Sequence, residues 1–222
     1  QYSQHTDLEL DMPIEELLGE FVEVWGEAMA VATDTLTRNV LTENRRVLHA
    51  GDRRRREDIQ EKDYLTLDDL LRARDMIKDS GIPQNYKAGD RYAVLMHPEG
   101  KRQLLQDPKY IESFLKQGPR DLSNPIFSGG MYDYEDLMFF ITSNSRTFSG
   151  NNNREIHSAL VLGDDCYEVS PLDEKSVKFY YIWSGSSGIG DPLDQVITIG
   201  YTVRYGVRIT NPLGIVSVEH AS

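Results

Sequence analysis

The sequence is poor in the groups that enzymes and binding modules usually carry. It has one cysteine, Cys166, which excludes a disulfide framework and a Cys-based zinc site and fits a reducing compartment. Its five histidines (His5, His49, His97, His157 and His220) include no H-x-x-x-H pair that would offer two imidazoles to a metal. Basic residues are outnumbered 24 to 36, giving a net charge of −12. A dedicated DNA- or RNA-binding module would show the opposite sign, although a protein that encloses nucleic acid without gripping it needs no basic footprint. No run of about 18 apolar residues exists, so no membrane span is expected, and nothing resembles a signal peptide. The first residue is Gln1 rather than Met, as in a fragment or a processed product.

What is present is periodicity. The 222 residues, 39% of them hydrophobic, suffice for one large domain or two modest ones. From Met12 to about Glu43, apolar residues recur at Ile14, Leu17, Leu18, Phe21, Val24, Trp25, Ala28, Val31, Ala32, Leu36 and Val40. That spacing predicts an amphipathic helix about 45 Å long at 1.5 Å per residue. Asp11 and Pro13 open it, and Glu15 and Glu16 follow with the charge that a helix start favours. Gly19 and Gly26, seven apart, permit close packing, a bend or flexing. Near the other end Ile197, Ile199, Tyr201, Val203, Tyr205, Val207 and Ile209 alternate with Thr198, Gly200, Thr202, Arg204, Gly206 and Arg208. This predicts a one-faced strand of matching length, about 43 Å at 3.3 Å per residue, with the helix lying along its sheet.

The intervening chain reads as an α/β unit. Thr66 caps a helix with Leu67, Leu70, Leu71 and Ile77 inward, and Gly81 and Pro83 end it. Tyr92–Met96 is a buried strand, Pro98 opens a third helix, and Asp107-Pro108 breaks it. Leu137–Thr142, Ala159–Leu162 and Val177–Trp183 are further strands, and Gly118–Gly130 is loop. The Ser- and Asn-rich stretch 143–154 is expected to be a mobile surface loop. A weak strand is expected within residues 1–10. Asn211-Pro212-Leu213-Gly214 has turn chemistry, after which Ile215, Val216 and Val218 form a strand expected to pair back on the long one. The layout is nested: residues 1–63 and 195–222 form one elongated body, and residues 64–194 a compact insertion.

Chemistry is thin. The loop Ser184–Gly190 lacks the lysine of a P-loop and a following helix, and it fails the G-x-S-x-G spacing. His97 at a strand end is a hydrogen-bonded structural residue before it is a base. Asp164-Asp165 is a turn before it is a cation site, and Cys166 is a small buried residue. No cofactor and no catalytic residue are expected. The run Arg53, Arg54, Arg55 and Arg56 is followed at once by Glu57, Asp58, Glu61 and Asp63, with no interleaved aromatic. Its readings are a solvated, salt-bridged face, a subunit contact made through bidentate pairs to a neighbour's carboxylates, and nucleic acid. Together with Asn151, Asn152 and Asn153 it supplies the candidate inter-subunit contacts.

Several strings in order carry a family likeness: Leu65-Thr66-Leu67 through Arg72-Ala73-Arg74, Tyr92-Ala93-Val94-Leu95-Met96-His97-Pro98, and Leu162-Gly163-Asp164-Asp165-Cys166-Tyr167. They continue with Asp191-Pro192-Leu193-Asp194-Gln195, Ile199-Gly200-Tyr201, Tyr205-Gly206-Val207, Ile209-Thr210-Asn211-Pro212 and Glu219-His220-Ala221-Ser222. Over nearly its whole length the chain resembles the major capsid proteins of tailed phages, most closely the family typified by coliphage N-four. The resemblance implies an α+β fold of the Hong Kong 97 type, with a spine helix on a long antiparallel sheet (the peripheral domain) and an inserted axial domain at residues 64–194. Loops 143–157 and 184–190 would lie at the axial tip or its contacts.

The same resemblance implies a non-enzymatic subunit that assembles with itself, through pentamers and hexamers, into an icosahedral shell around double-stranded DNA. Scaffolding, portal and decoration proteins would be further partners, no membrane would be involved, and assembly would occur in the host cytoplasm. It also implies that the family's N-terminal arm and extended loop are absent from this sequence. The alternatives are a cellular, encapsulin-like shell, distinguished by whether the gene lies beside a terminase and portal or a cargo enzyme, and a monomeric enzyme or ligand-binding protein, distinguished by a deep pocket near His97 or Asp164.

Overall fold

The computed structural model describes residues 2–6, 14–43, 46–84, 89–117, 134–151, 154–171, 177–182 and 196–222. The chain forms two compact units: residues 1–36 with 169–207, and residues 37–168 with 208–222.

In the first unit, strand β1 (Tyr2–Thr6) pairs antiparallel with β9 (Val196–Val203), which pairs in turn with β8 (Val177–Ile182). The predicted helix is helix α1 (Ile14–Thr42), whose first part lies here. Trp25 is buried with its ring 5.6 Å from that of Tyr201 on β9. The apolar stripe does not all turn inward, however. Val24, Val31 and Leu36 remain 59%, 61% and 53% exposed. A Cβ built on Gly19 or Gly26 meets nothing within 4 Å, so close packing does not explain either glycine. Asp11, Pro13, Leu8 and Leu10 lie outside the described residues.

The second unit is built on a sheet ordered β2-β11-β6-β3-β4, with β5 also pairing β6. Its strands are β2 (Val47–His49), β3 (Tyr92–Met96), β4 (Leu137–Ile141), β5 (Thr147–Ser149), β6 (Glu155–Leu162) and β11 (Ile215–Ala221). Helices α2 (Leu67–Asp79), α3 (Pro98–Gln106) and α4 (Pro108–Gln117) belong to the same unit. Leu67, Leu70, Ala73 and Ile77 of α2 join Val94, Met96, Leu104, Tyr110, Val161, Val216 and Val218 in the main core. The end of α1 contributes Leu41 to a smaller core with Leu160, Leu162, Cys166 and Ile215.

Thr66 caps α2 as its sequence predicts. Its Oγ1 accepts from Asp69 N–H at 3.3 Å, and Asp69 Oδ2 accepts from Thr66 N–H at 3.2 Å. Both ends of this reciprocal pair satisfy helix-start donors. Thr66→Ala should therefore cost about 1 kcal/mol, seen as a lower thermal midpoint with the circular dichroism of the native state unchanged.

Three expectations are corrected. Strand β11 does not return to the long strand: it pairs antiparallel with β6 and parallel with β2. All seven of its residues are buried, the condition of a central strand covered on both faces. The two compact units divide the chain at other places than the expected domains 1–63 with 195–222 and 64–194: residues 37–168 and 208–222 form one unit, and residues 1–36 and 169–207 the other. The long strand is two, β9 and β10 (Tyr205–Ile209), broken at Arg204, and β10 pairs with β7 (Tyr167–Pro171), a strand that the sequence reading omitted. The Ser/Asn-rich stretch is not loop throughout, since Thr147, Phe148 and Ser149 pair with His157, Ile156 and Glu155. The loops at 118–130 and 184–190 lie outside the described residues.

Candidate functional site

The four arginines occupy a connection that leaves β2 through a tight turn. Gly51 has φ +70°, and a Cβ there would come within 2.5 Å of the Asp63 carboxylate. Glycine is thus required both by the left-handed backbone and by the close approach. The turn sends Arg53 to Asp63, with Nε donating to Oδ2 at 2.7 Å and Nη2 to Oδ1 at 3.3 Å. Burial alone would raise the pKa of Asp63, but hydrogen bonds from Arg53 and from Gln60 N–H, with the Arg53 charge, hold it below the ordinary aspartate value.

A short 3₁₀ turn, Arg56–Asp58, then points Arg56 the same way. Its Nε donates to Glu219 Oε2 at 2.8 Å and its Nη2 to Oε1 at 2.6 Å, and the guanidinium lies 3.6 Å over the Phe148 ring. Glu219 sits on β11 and is only 1% exposed. His49 Nε2 is 3.5 Å from the same carboxylate. The hydrogen bond to Glu219 raises the pKa of Arg56 further above its usual value. Arg54 and Arg55, between these two, are exposed.

The run therefore splits. Arg53 and Arg56 are consumed by the chain's own carboxylates, whereas Arg54 and Arg55 project outward. Of the three asparagines, Asn151 is exposed and donates through Nδ2 to Glu57 C=O at 3.0 Å, which brings it beside the arginine run. Asn152 and Asn153 lie outside the described residues.

The other nominated groups are structural where they are described. His97 caps α3, its Nδ1 accepting from Glu99 N–H at 3.2 Å. Cys166 is buried, which raises its thiol to about 11, far from a reactive thiolate. Asp164 and Asp165 form the turn after β6, Asp165 with φ 44°. Among the described residues no group of three or more His, Cys, Asp or Glu side chains could hold a metal ion.

No protein-family model matches the sequence, and no curated protein matches it. Solved structures match it end to end. The capsid of Ralstonia phage GP4 superposes with a TM-score of 0.69 at 15% identity, over 100% of this chain and 73% of that one. The Cyanophage Pam1 capsid gives 0.67 at 13%, again over 100% and 73%. The holo-SrpI encapsulin complex from Synechococcus elongatus gives 0.59 at 10%, over 99% and 71%.

The chain has an α+β fold that resembles the architecture of these capsid and encapsulin structures. Similarity at this level of identity is similarity of fold, shared by viral capsids and an encapsulin. Sequence reasoning found the arginine run and placed Asp63 among the acids that follow it, and Arg53 does pair with Asp63, but it missed Glu219 as the partner of Arg56. A signal for Glu219 was available: it is a lone carboxylate in an otherwise continuous buried strand, and a buried charge demands a cation.

Proposed function

We propose that this chain is a shell-forming subunit: the major capsid protein of a tailed double-stranded DNA phage, assembling through pentamers and hexamers into an icosahedral head. The observation that carries the reading is the end-to-end match of the fold to phage capsids, at a TM-score of 0.69 over 100% of the chain. The exposed Val24, Val31 and Leu36 on α1 add support, since large apolar side chains left open on one element suit a surface that an assembly covers. The narrower likeness to the coliphage N-four family rests on the sequence strings. The acidic balance of the chain, −12 overall, suits a container whose contents must not adhere to it. Scaffolding and portal proteins and enclosed DNA are the partners this reading brings, in the host cytoplasm and then in the virion.

In this proposal the axial part that points to the five- or six-fold axis is residues 37–168 with 208–222. The inter-subunit contact narrows from four arginines to Arg54 and Arg55, with Asn151, and with Asn152 and Asn153 as sequence neighbours. Head-to-tail contacts of this kind close into rings only at the right rotation.

Negative-stain electron microscopy with sedimentation velocity tests the reading. Closed shells or five- and six-membered rings are expected, and a strictly monomeric species at every concentration, salt and pH would overturn it. Arg54→Glu/Arg55→Glu should suppress assembly while moving the monomer's stability by less than about 0.5 kcal/mol. Normal assembly by that variant would remove these two residues from the interface.

A cellular encapsulin is the second reading, favoured by the match to the encapsulin complex at a TM-score of 0.59. A gene neighbourhood encoding a cargo enzyme, rather than a terminase and portal, would select it.

A further inference from the structure

Three histidines far apart in sequence meet at one end of the six-stranded sheet. His97 follows β3 directly and caps α3. Its ring lies flat on His157 of β6, with centroids 4.2 Å apart and 6° between the planes. His157 is the register partner of His220 on β11, and their rings are 5.8 Å apart.

His220 is fully buried, and its Nδ1 lies 2.9 Å from Ala221 C=O. A carbonyl can only accept, so Nδ1 carries the hydrogen and Nε2 holds a bare lone pair. Among the described residues, neither His220 Nε2 nor His157 Nδ1 has a hydrogen-bond partner. The first turn of α3 packs directly on the ring: a Cβ on Gly100 would lie 3.3 Å from His220 Nε2 and 3.2 Å from Leu65 Cδ2. The same corner is tied by Gln103, whose Nε2 donates to Ala221 C=O at 2.7 Å and whose Oε1 accepts from Leu65 N–H at 2.8 Å.

We propose that the stack of His97, His157 and His220 is an acid-sensitive latch that fastens the start of α3 to the end of β11, closed while His157 and His220 are neutral and released when these two rings take up protons. The surroundings offer little to hold such protons. On α3, Glu99 is paired with Arg102. On β6, Glu155 is exposed beside the stack. Just before β5, Arg146 turns to Thr42 and Asn39. On β11, Glu219 is committed to Arg56 and His49. The lead-in to α2 presents apolar Leu65.

Burial lowers the pKa of His157, and the charge on His97 works in the same direction. Burial pushes His220 down to about 4, against the pull of the Ala221 carbonyl. Folded values below the unfolded value of 6.5 mean that the latch contributes fully above that pH. Its contribution falls as pH drops from 6.5 toward 4 and is lost below, because the opened chain takes up protons that the closed one refuses.

Native-state hydrogen exchange on the whole chain tests this. After correction for intrinsic rates, amides of the first turn of α3 and of the end of β11 should open about 30-fold more readily at pH 5 than at pH 7.5 from His220 alone. His157→Phe with His220→Phe keeps aromatic packing, removes two titrating rings and should flatten that dependence. Unchanged protection in the native protein, or the native slope in the double variant, would overturn the proposal. Should the variant fail to fold, the native ring signals decide by NMR. A His220 ring that stays neutral to below pH 5 upholds the latch, and one that titrates near 6.5 refutes it. The latch does not depend on the shell reading, and neither outcome bears on assembly.

Discussion

Replacing Arg56 with alanine should destabilise the chain by about 3 kcal/mol. The pair it breaks is buried on one side only: the Glu219 side chain is 2% exposed and that of Arg56 36%. Removing the cation leaves a carboxylate within a fully buried strand, with His49 at 3.5 Å as its remaining partner. Breaking a buried pair by deleting one member costs about 3–5 kcal/mol, and the partial exposure of Arg56 places the effect at the lower end. The guanidinium also covers the Phe148 ring at 3.6 Å, so packing is lost with the charge.

Arg56→Lys keeps the charge but loses the two-pronged geometry and the stacking, and should fall between alanine and the native residue. Arg56→Met with Glu219→Leu removes both charges and should recover most of the loss. Urea unfolding measures all three, as a lower midpoint at an unchanged slope. A loss below about 0.5 kcal/mol for Arg56→Ala would mean that the pair is solvated and that the whole arginine run is available to neighbours.

Leu70→Ala should cost about 3 kcal/mol, for a different reason. Leu70 is fully buried in α2, within the core that α2 shares with Val216 and Val218 of β11. Truncation removes transfer free energy and leaves a cavity that close-packed neighbours fill only in part. Leu71, next in sequence and only partly buried, is the control: Leu71→Ala should cost about 1 kcal/mol. Chemical denaturation of the two variants side by side checks the ranking, and equal losses would contradict the orientation of α2.

The elements legible in the sequence were those whose pattern is local. The period of α1, the Thr66 cap, the apolar strand Tyr92–Met96 and the Asp107-Pro108 break each declare themselves within a few residues, and each has its counterpart in the structure. What failed was pairing between distant segments. The turn at 211–214 suggests that Ile215-Val216 and Val218 pair with the strand before them, whereas they pair with β6 and β2. Their near-continuous apolar character instead marks a strand covered on both faces, which needs the centre of a sheet.

The exposed Val24, Val31 and Leu36 were missed in the opposite sense. Periodicity says that a residue shares the apolar stripe, but not whether the chain has enough surface of its own to cover it. The arginine run was legible as charge and illegible as structure, because its sorting into inward and outward pairs depends on Asp63 and on Glu219 far along the chain. The histidine stack had no sequence signal, since its members meet only through β-sheet register.

Strand order also sets a timetable for synthesis. Tyr2 faces Gly200 across β1 and β9, and β11, between β2 and β6, follows every other described strand in sequence. Neither unit can complete its sheet on a ribosome until residues 196–203 and 215–221, respectively, have emerged. Such non-local closure is slow and leaves strand edges open for longer. An interrupted translation product that stops before residue 196 would lack the partner for β1 and the centre of the larger sheet at once. Its remaining strands would be left with open edges, exposed to chaperones and proteases.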